Sequence, residues 1–149
     1  MRIFVGADHN GFHLKEALEK FLKEHDYQVS DEGDTKLDPN DDYPIFATRL
    51  VNAMLGSDEK DPRGILLCGS GQGMAIAANR HKGIRAAVCW DAEQARMARN
   101  DDDANVLALP AWLLEKHLDE ARAIVETFLE KSFAGAPRFV RRIKELDEL

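Results

Sequence analysis

Two short segments concentrate the side chains that do chemistry. Ala7-Asp8-His9-Asn10-Gly11 sets an acid beside an imidazole, and Cys68-Gly69-Ser70-Gly71-Gln72-Gly73 combines a thiol, a hydroxyl and a run of glycines. Glycines at 69, 71 and 73 let the backbone turn tightly and aim its N–H groups inward, a nest for negative charge ahead of a helix. The same field favours a thiolate at Cys68, the form that acts as base or nucleophile. Taken singly, Asp8-His9 also fits a helix cap, and Cys68 a small buried residue ending a strand. The adjoining Gly-Ser-Gly-Gln-Gly tips the reading of Cys68 toward chemistry.

Other chemically able residues read more plainly. Arg138 and Arg142 lie four apart on a final helix, hence on one face, either as a solvated pair or as an anion clamp. His13, His25, His81 and His117 read as structural or solvated, and Cys89 as a core thiol. Asp101-Asp102-Asp103 reads as a solvated loop.

Short apolar runs alternate with amphipathic stretches and must position these groups. Strands are predicted at Ile3–Val5, Tyr27–Val29, Gly64–Cys68, Ile84–Cys89 and Val106–Leu109. Helical spacing follows each: from Leu14 to Leu22, from a cap at Asp41 or Asp42 to Leu55, from Met74 to Asn79, from Asp91 to Arg99, from Leu114 to Phe128, and from Arg138 to Leu149. The expected architecture is α/β, a Rossmann-like three-layer sandwich. Its five-stranded parallel sheet is expected in order 2-1-3-4-5, with helices on both faces. In such sheets ligands bind beyond the carboxyl ends of the strands, where strand order reverses. That crevice lies between strands 1 and 3, where the Asp8 and Cys68 segments end.

Composition narrows the partners. The 149 residues are 44% hydrophobic and 32% charged, the balance of one globular domain spanning 1–149. With 20 Lys and Arg against 27 Asp and Glu, the net charge of −7 repels phosphate backbones, so nucleic acid is not an expected partner. No apolar run reaches the ~18 residues of a membrane span, and Met1 leads directly into a strand without a signal-peptide layout. Two cysteines make no disulfide framework, so a cytoplasmic protein with free thiols is expected.

Three functions fit this layout. A nicotinamide-binding unit needs Gly-x-Gly-x-x-Gly, but the loop reads Gly-x-Gly-x-Gly. A non-catalytic nucleotide-binding or signalling module of flavodoxin-like fold is the alternative. A phospho-acceptor of that kind wants an Asp after strand 3 and a Lys after strand 5, where this chain has Cys68 and Pro110-Ala111-Trp112. The third is an isomerase that uses the thiol. Ala7-Asp8-His9-Asn10-Gly11-Phe12, Asp42-Tyr43-Pro44, Gly64 to Asn79, Gly83 to Ala87 and Asn105-Val106-Leu107 closely resemble the ribose-5-phosphate isomerase B family, which includes galactose-6-phosphate isomerase subunits. The resemblance runs essentially the whole chain, and Cys-Gly-Ser-Gly-x-Gly with Ile-Ala-Ala-Asn is its most specific part.

That resemblance implies aldose–ketose isomerisation of a sugar phosphate through a cis-enediolate, with no metal or other cofactor. It implies a homodimer or a dimer of dimers whose active site is shared between subunits. Cys68 would move the proton, Ser70 would assist transfer between the oxygens, and the N–H groups from Gly69 through Gly71 and Gln72 to Gly73 would hold the enediolate. Asp8 and His9 would bind substrate, and Arg138 and Arg142 match the family's phosphate clamp. Where members carry a ring-opening His followed by a substrate-binding Asn, this chain carries Asp101 and Asp102. A further phosphate-binding Arg aligns with Trp112. The matched core implies the reaction class, and the departures point away from ribose 5-phosphate toward a substrate that needs no ring opening, such as a tetrose 4-phosphate.

Overall fold

The computed structural model describes all 149 residues. In chain order the elements are β1 (Arg2–Ala7), α1 (Phe12–Glu24), β2 (Gln28–Asp31), α2 (Tyr43–Leu55), β3 (Arg63–Cys68), α3 (Gln72–Ala78), β4 (Ala86–Val88), α4 (Ala92–Asp102), β5 (Val106–Pro110), α5 (Ala111–Leu114), α6 (Leu118–Glu130) and α7 (Pro137–Asp147). All strand pairs are parallel. No helix is long and apolar enough to cross a membrane.

The sheet order is β2-β1-β3-β5-β4, which corrects the expected order at its last two strands. The cause is legible in burial. β5 (Val-Leu-Ala-Leu-Pro) is buried at every position and needs a neighbour on each side, whereas the three residues of β4 are only half-buried and suit an edge. The Asn79 side chain then covers the outer edge of β4, accepting from Ala86 N (2.7 Å) and donating to Ala86 O (2.9 Å). Because the chain steps back from β4 to β5, right-handed crossover sends α4 to the opposite face from α3. One core accordingly lies under α1, α4 and α6, and includes Leu18, Ile65, Leu107 and Phe128. The other lies under α2 and α3, and includes Phe4, Leu50, Leu66 and Met74.

Two boundaries also move. The Asp101–Asp103 stretch is no free loop: α4 runs through Asp102, and Asp103 closes it in a left-handed conformation (φ 46°). The predicted long helix is split, because α5 is tied to the glycine loop by Trp112 N donating to Gly69 O (3.0 Å) and α6 starts afresh after His117.

Polar anchors fix the long connection after β2. Lys15 of α1, 2% exposed, pairs with Asp31 and donates to Asp34 O (3.2 Å). A buried cation is tolerable only when so compensated.

The β1–β3 pairing sets the distance between the two chemical segments. Ala7 lies opposite Leu67, and Asp8 N donates to Leu67 O (3.2 Å). Gly11 then presses onto β3: a Cβ at this position would sit 2.6 Å from Leu67 Cβ and 2.7 Å from Leu67 O. The obstacle is largely backbone, so it has little room to yield. Gly11→Ala is expected to lower stability by about 1–3 kcal/mol, the usual cost of overpacking. Urea unfolding checks this, and an unchanged midpoint would refute the close-approach account.

Candidate active site

Cys68 is the last residue of β3 and only 5% exposed. Beyond it the chain makes the expected tight loop. Gly71 takes φ +77°, a conformation costly for any side chain, and serves as the N-cap of α3. Ser70 Oγ accepts from Gln72 N (3.3 Å). Two aromatic rings wall the loop closely. A Cβ at Gly69 would lie 2.5 Å from Trp112 Cε2, and one at Gly73 would lie 2.7 Å from Tyr43 Cζ. A side chain at 69 or 73 would force these rings to shift, and at 71 the left-handed turn favours glycine.

Asp8 leaves the adjacent strand at the same sheet edge, 5% exposed. Its Oδ1 accepts from Asn10 N (2.9 Å) and Gly11 N (3.1 Å), so it shapes the turn before α1 instead of capping the helix from the N-cap position, which Gly11 holds. Burial raises the Asp8 pKa above the usual carboxylate value, and the amide bonds and the neighbouring His9 offset this only in part. His9 is bound to Asp41 twice: Asp41 Oδ1 lies 2.7 Å from His9 Nδ1 and accepts from His9 N at 3.1 Å. The hydrogen bond to Asp41 raises the imidazole pKa, with the Asp8, Asp41 and Asp38 charges adding to it against partial burial.

One potential donor atom each from Asp8, His9 and Asp41 lies within 4.8 Å of the others. Part of this donor set is already engaged within the protein. Asp8 Oδ1 serves two amides, and His9 Nδ1 and Asp41 Oδ1 serve each other. The arrangement is a hydrogen-bonded cluster at the mouth of an anion nest.

The remaining predicted residues gather at the opposite, amino-terminal edge of the sheet. Asp101 and Asp102 end α4, which runs antiparallel to the strands. Asp102 feels Arg142 of α7; loss of water and the Asp101 charge raise its pKa, and Arg142 lowers it. The end of α7 is tied by Asp147 to Arg85, just before β4 (3.2 Å). Arg138 stands one turn before Arg142 with its guanidinium 4.8 Å from the Phe139 ring centre. The six residues of β3 separate this edge from Cys68 by roughly 16 Å at the rise of a strand. Asp8, His9, Cys68, Gly69, Ser70, Gly71, Gln72 and Gly73 thus meet at one edge of the chain, and Asp101, Asp102, Arg138 and Arg142 meet at the other.

A model of the ribose/galactose isomerase family matches residues 3–146. The chain belongs to that family. It is 40% identical over 144 residues to a probable ribose-5-phosphate isomerase B of Mycoplasma pneumoniae, covering 97% of this chain and 91% of the relative. It is 36% identical over 133 residues to a 4-deoxy-4-sulfo-D-erythrose isomerase of a Clostridium species, covering 89% and 81%. The crystal structure of the Thermotoga maritima ribose 5-phosphate isomerase matches with a TM-score of 0.92 at 43% identity, covering 99% of this chain and 98% of that one. The Mycoplasma genitalium ribose-5-phosphate isomerase B with bound ribulose-5-phosphate matches at 0.90 and 38% identity, covering 99% and 94%. Membership makes the protein an aldose–ketose isomerase.

Within this family member, Cys89 is a bystander. Burial, with the Asp91 charge, pushes its thiol up to about 12, so it stays protonated in the core. Asn79 and Asn105, both in motif segments, are structural: Asn105 accepts from Arg85 N (2.9 Å) and donates to Gly83 O (2.8 Å). The structure separates Asp41 from Asp42, the two alternatives for the cap of α2. Asp42 occupies the N-cap position of α2, without a side-chain cap bond, and Asp41 turns to His9. The signal was present as two adjacent acids where a cap needs one.

Asp8 offers a test of the site. A carboxyl whose folded pKa is raised costs the fold stability above that pKa, and the cost fades as pH falls through it. Asp8→Asn keeps an oxygen to accept from the two amides and removes the charge. The variant is expected to melt higher than the parent at pH 7, with the gap closing toward acid, and to lose about tenfold or more in kcat/KM. Melting curves across pH and steady-state kinetics check both.

Proposed function

We propose that Cys68 is the base of the isomerisation, within a single isomerase domain over residues 1–149 that works in the cytoplasm as a homodimer or a dimer of dimers. The observation that carries this reading is the buried Cys68 at a strand end, followed at once by the glycine nest. The Cys68 thiolate takes the proton from C2 of the open-chain aldose, and the electron pair moves through C1 onto O1 to form a cis-enediolate. The amides of Gly69 to Gly73 stabilise that charge, each worth about 10²–10³ in rate if aimed at the oxyanion. Ser70 helps the hydroxyl proton pass from O2 to O1. Cys68 then returns its proton to C1, leaving a ketone at C2. Asp8 and His9 bind the sugar.

The substrate we propose is a short anionic aldose that needs no ring opening, of the tetrose 4-phosphate kind. Asp101 supplies no imidazole to open a ring, and the Trp112 indole, 73% exposed, offers an apolar wall where a phosphate would want a cation. The relative named for a sulfo-tetrose supports the shorter chain. Ribose 5-phosphate is the second reading, favoured by the relatives named for it.

Turnover of tetrose and ribose phosphates in deuterated water tests both points. Deuterium is expected at the carbon next to the carbonyl, faster with the tetrose. Cys68→Ser should keep the fold and lose about 10²–10⁴ in turnover, because a hydroxyl is a far weaker base. A variant within twofold of the parent would exclude Cys68 as the base. Faster turnover of ribose 5-phosphate would decide for the second reading.

Sharing of the site between subunits has its own test. Arg142→Ala and Cys68→Ser should each be nearly inactive alone. Mixed and reassembled, they should recover about a quarter of parental activity: about half the dimers are then mixed, each with one intact site. No recovery after verified subunit exchange would mean that Arg142 acts on its own chain's Cys68, or not at all.

A further inference from the structure

We infer that Asp41 is the positioning residue of this site, holding His9 as an imidazolium whose Nε2–H is presented to the anionic end of the substrate. The inference rests on the isomerase reading above for its substrate, and goes beyond it in assigning His9 its charge state and Asp41 its task. The geometry leads. A single oxygen, Asp41 Oδ1, holds both His9 N (3.1 Å) and His9 Nδ1 (2.7 Å), which fixes the ring relative to its own backbone. With Nδ1 committed to the carboxylate as a donor, only Nε2 is left to face a ligand. The His9 side chain is 30% exposed, whereas that of Asp41 is 5% exposed, so the ring meets solvent and the acid stands behind it.

Charge balance gives the same answer. Asp41 Oδ2 is buried without a hydrogen-bond partner. A carboxylate so withdrawn from water requires a counter-charge. The end of β1 supplies Asp8 beside it, and the loop supplies Asp38, both acids. The adjacent strand ends in Cys68, and α2 begins with Tyr43. His9 is the counter-ion that touches Asp41, and its raised pKa agrees with that pairing. Such a pair adds to the site a charge-assisted donor for an anion that comes from the same sheet edge as Cys68.

The sign of the pH dependence follows. Affinity for an anion is held while His9 is protonated and declines as pH rises through its pKa. Removing the Asp41 charge moves that decline to lower pH.

The experiment uses the full chain with inorganic phosphate as probe. The His9 ring is followed by NMR across pH, without substrate, in the parent, Asp41→Asn and Asp41→Glu. The parent is expected to carry its proton on Nδ1 and to titrate above the ordinary histidine value. Asp41→Asn should titrate lower, bind phosphate several-fold to about tenfold more weakly at pH 7.5, and raise KM while kcat changes by less than about threefold. Asp41→Glu should restore part of each. A parental His9 that titrates at or below the ordinary value overturns the proposal, and needs no variant to fold. So does an Asp41→Asn protein whose His9 titration and phosphate affinity match the parent. Because the ring is read without turnover, this failure is separate from that of the isomerase reading, which falls if Cys68→Ser stays active.

Discussion

Everything at the carboxyl edge depends on one backbone contact, the parallel pairing of β1 with β3. Ala7 opposite Leu67 brings the ends of two strands level, so that Asp8-His9 and Cys68-Gly69 leave the sheet side by side. No side chain carries this alignment. It is made by ladder hydrogen bonds and by Gly11, whose missing Cβ lets the first turn of α1 lie against Leu67. A topological reversal at this point opens the crevice, because the chain leaves β1 toward one side of the sheet and β3 toward the other.

The loop that closes the crevice is held by ions rather than by apolar packing. Residues 32–42 offer little to bury. Their near end is pinned by buried Lys15 through Asp31 and Asp34, and their far end by Asp41 on His9. A group that binds substrate thereby also fastens the loop. Its protonation bears on both.

Much of this was legible in the sequence, for identifiable reasons. The β3 run Gly-Ile-Leu-Leu-Cys and the following glycines are strongly biased segments, and they formed the strand and nest their composition predicts. The order of β4 and β5 was not read correctly, although Ala86-Ala87-Val88 is too short and too small to be central. Pattern reasoning assigns strands one at a time, while order is decided by which strand has two covered sides. Asp41 escaped because an acid before a helix is ordinarily a cap, and only the three-dimensional path of the loop brings it to a histidine 32 residues earlier. The helix break after Leu114 escaped because Leu114, Leu118 and Ala121 keep an apolar pattern across a turn. The split of the site between two sheet edges follows from chain direction: residues that end a helix lie at the opposite edge from residues that end a strand.

The reversed order of the last two strands also bears on how the chain is assembled during synthesis. β4 pairs with β5 alone, and β5 must slot between β3 and β4. When residues 86–88 emerge from the ribosome, their partner in the sheet does not yet exist, and β3 still shows an open edge. The two edges that β5 will join, one on β3 and one on β4, therefore stay unpaired until residue 110 has been made, while Asn79 bonds Ala86 on the other, outer edge of β4. The insertion of β5 is the step that turns two partial sheets into one.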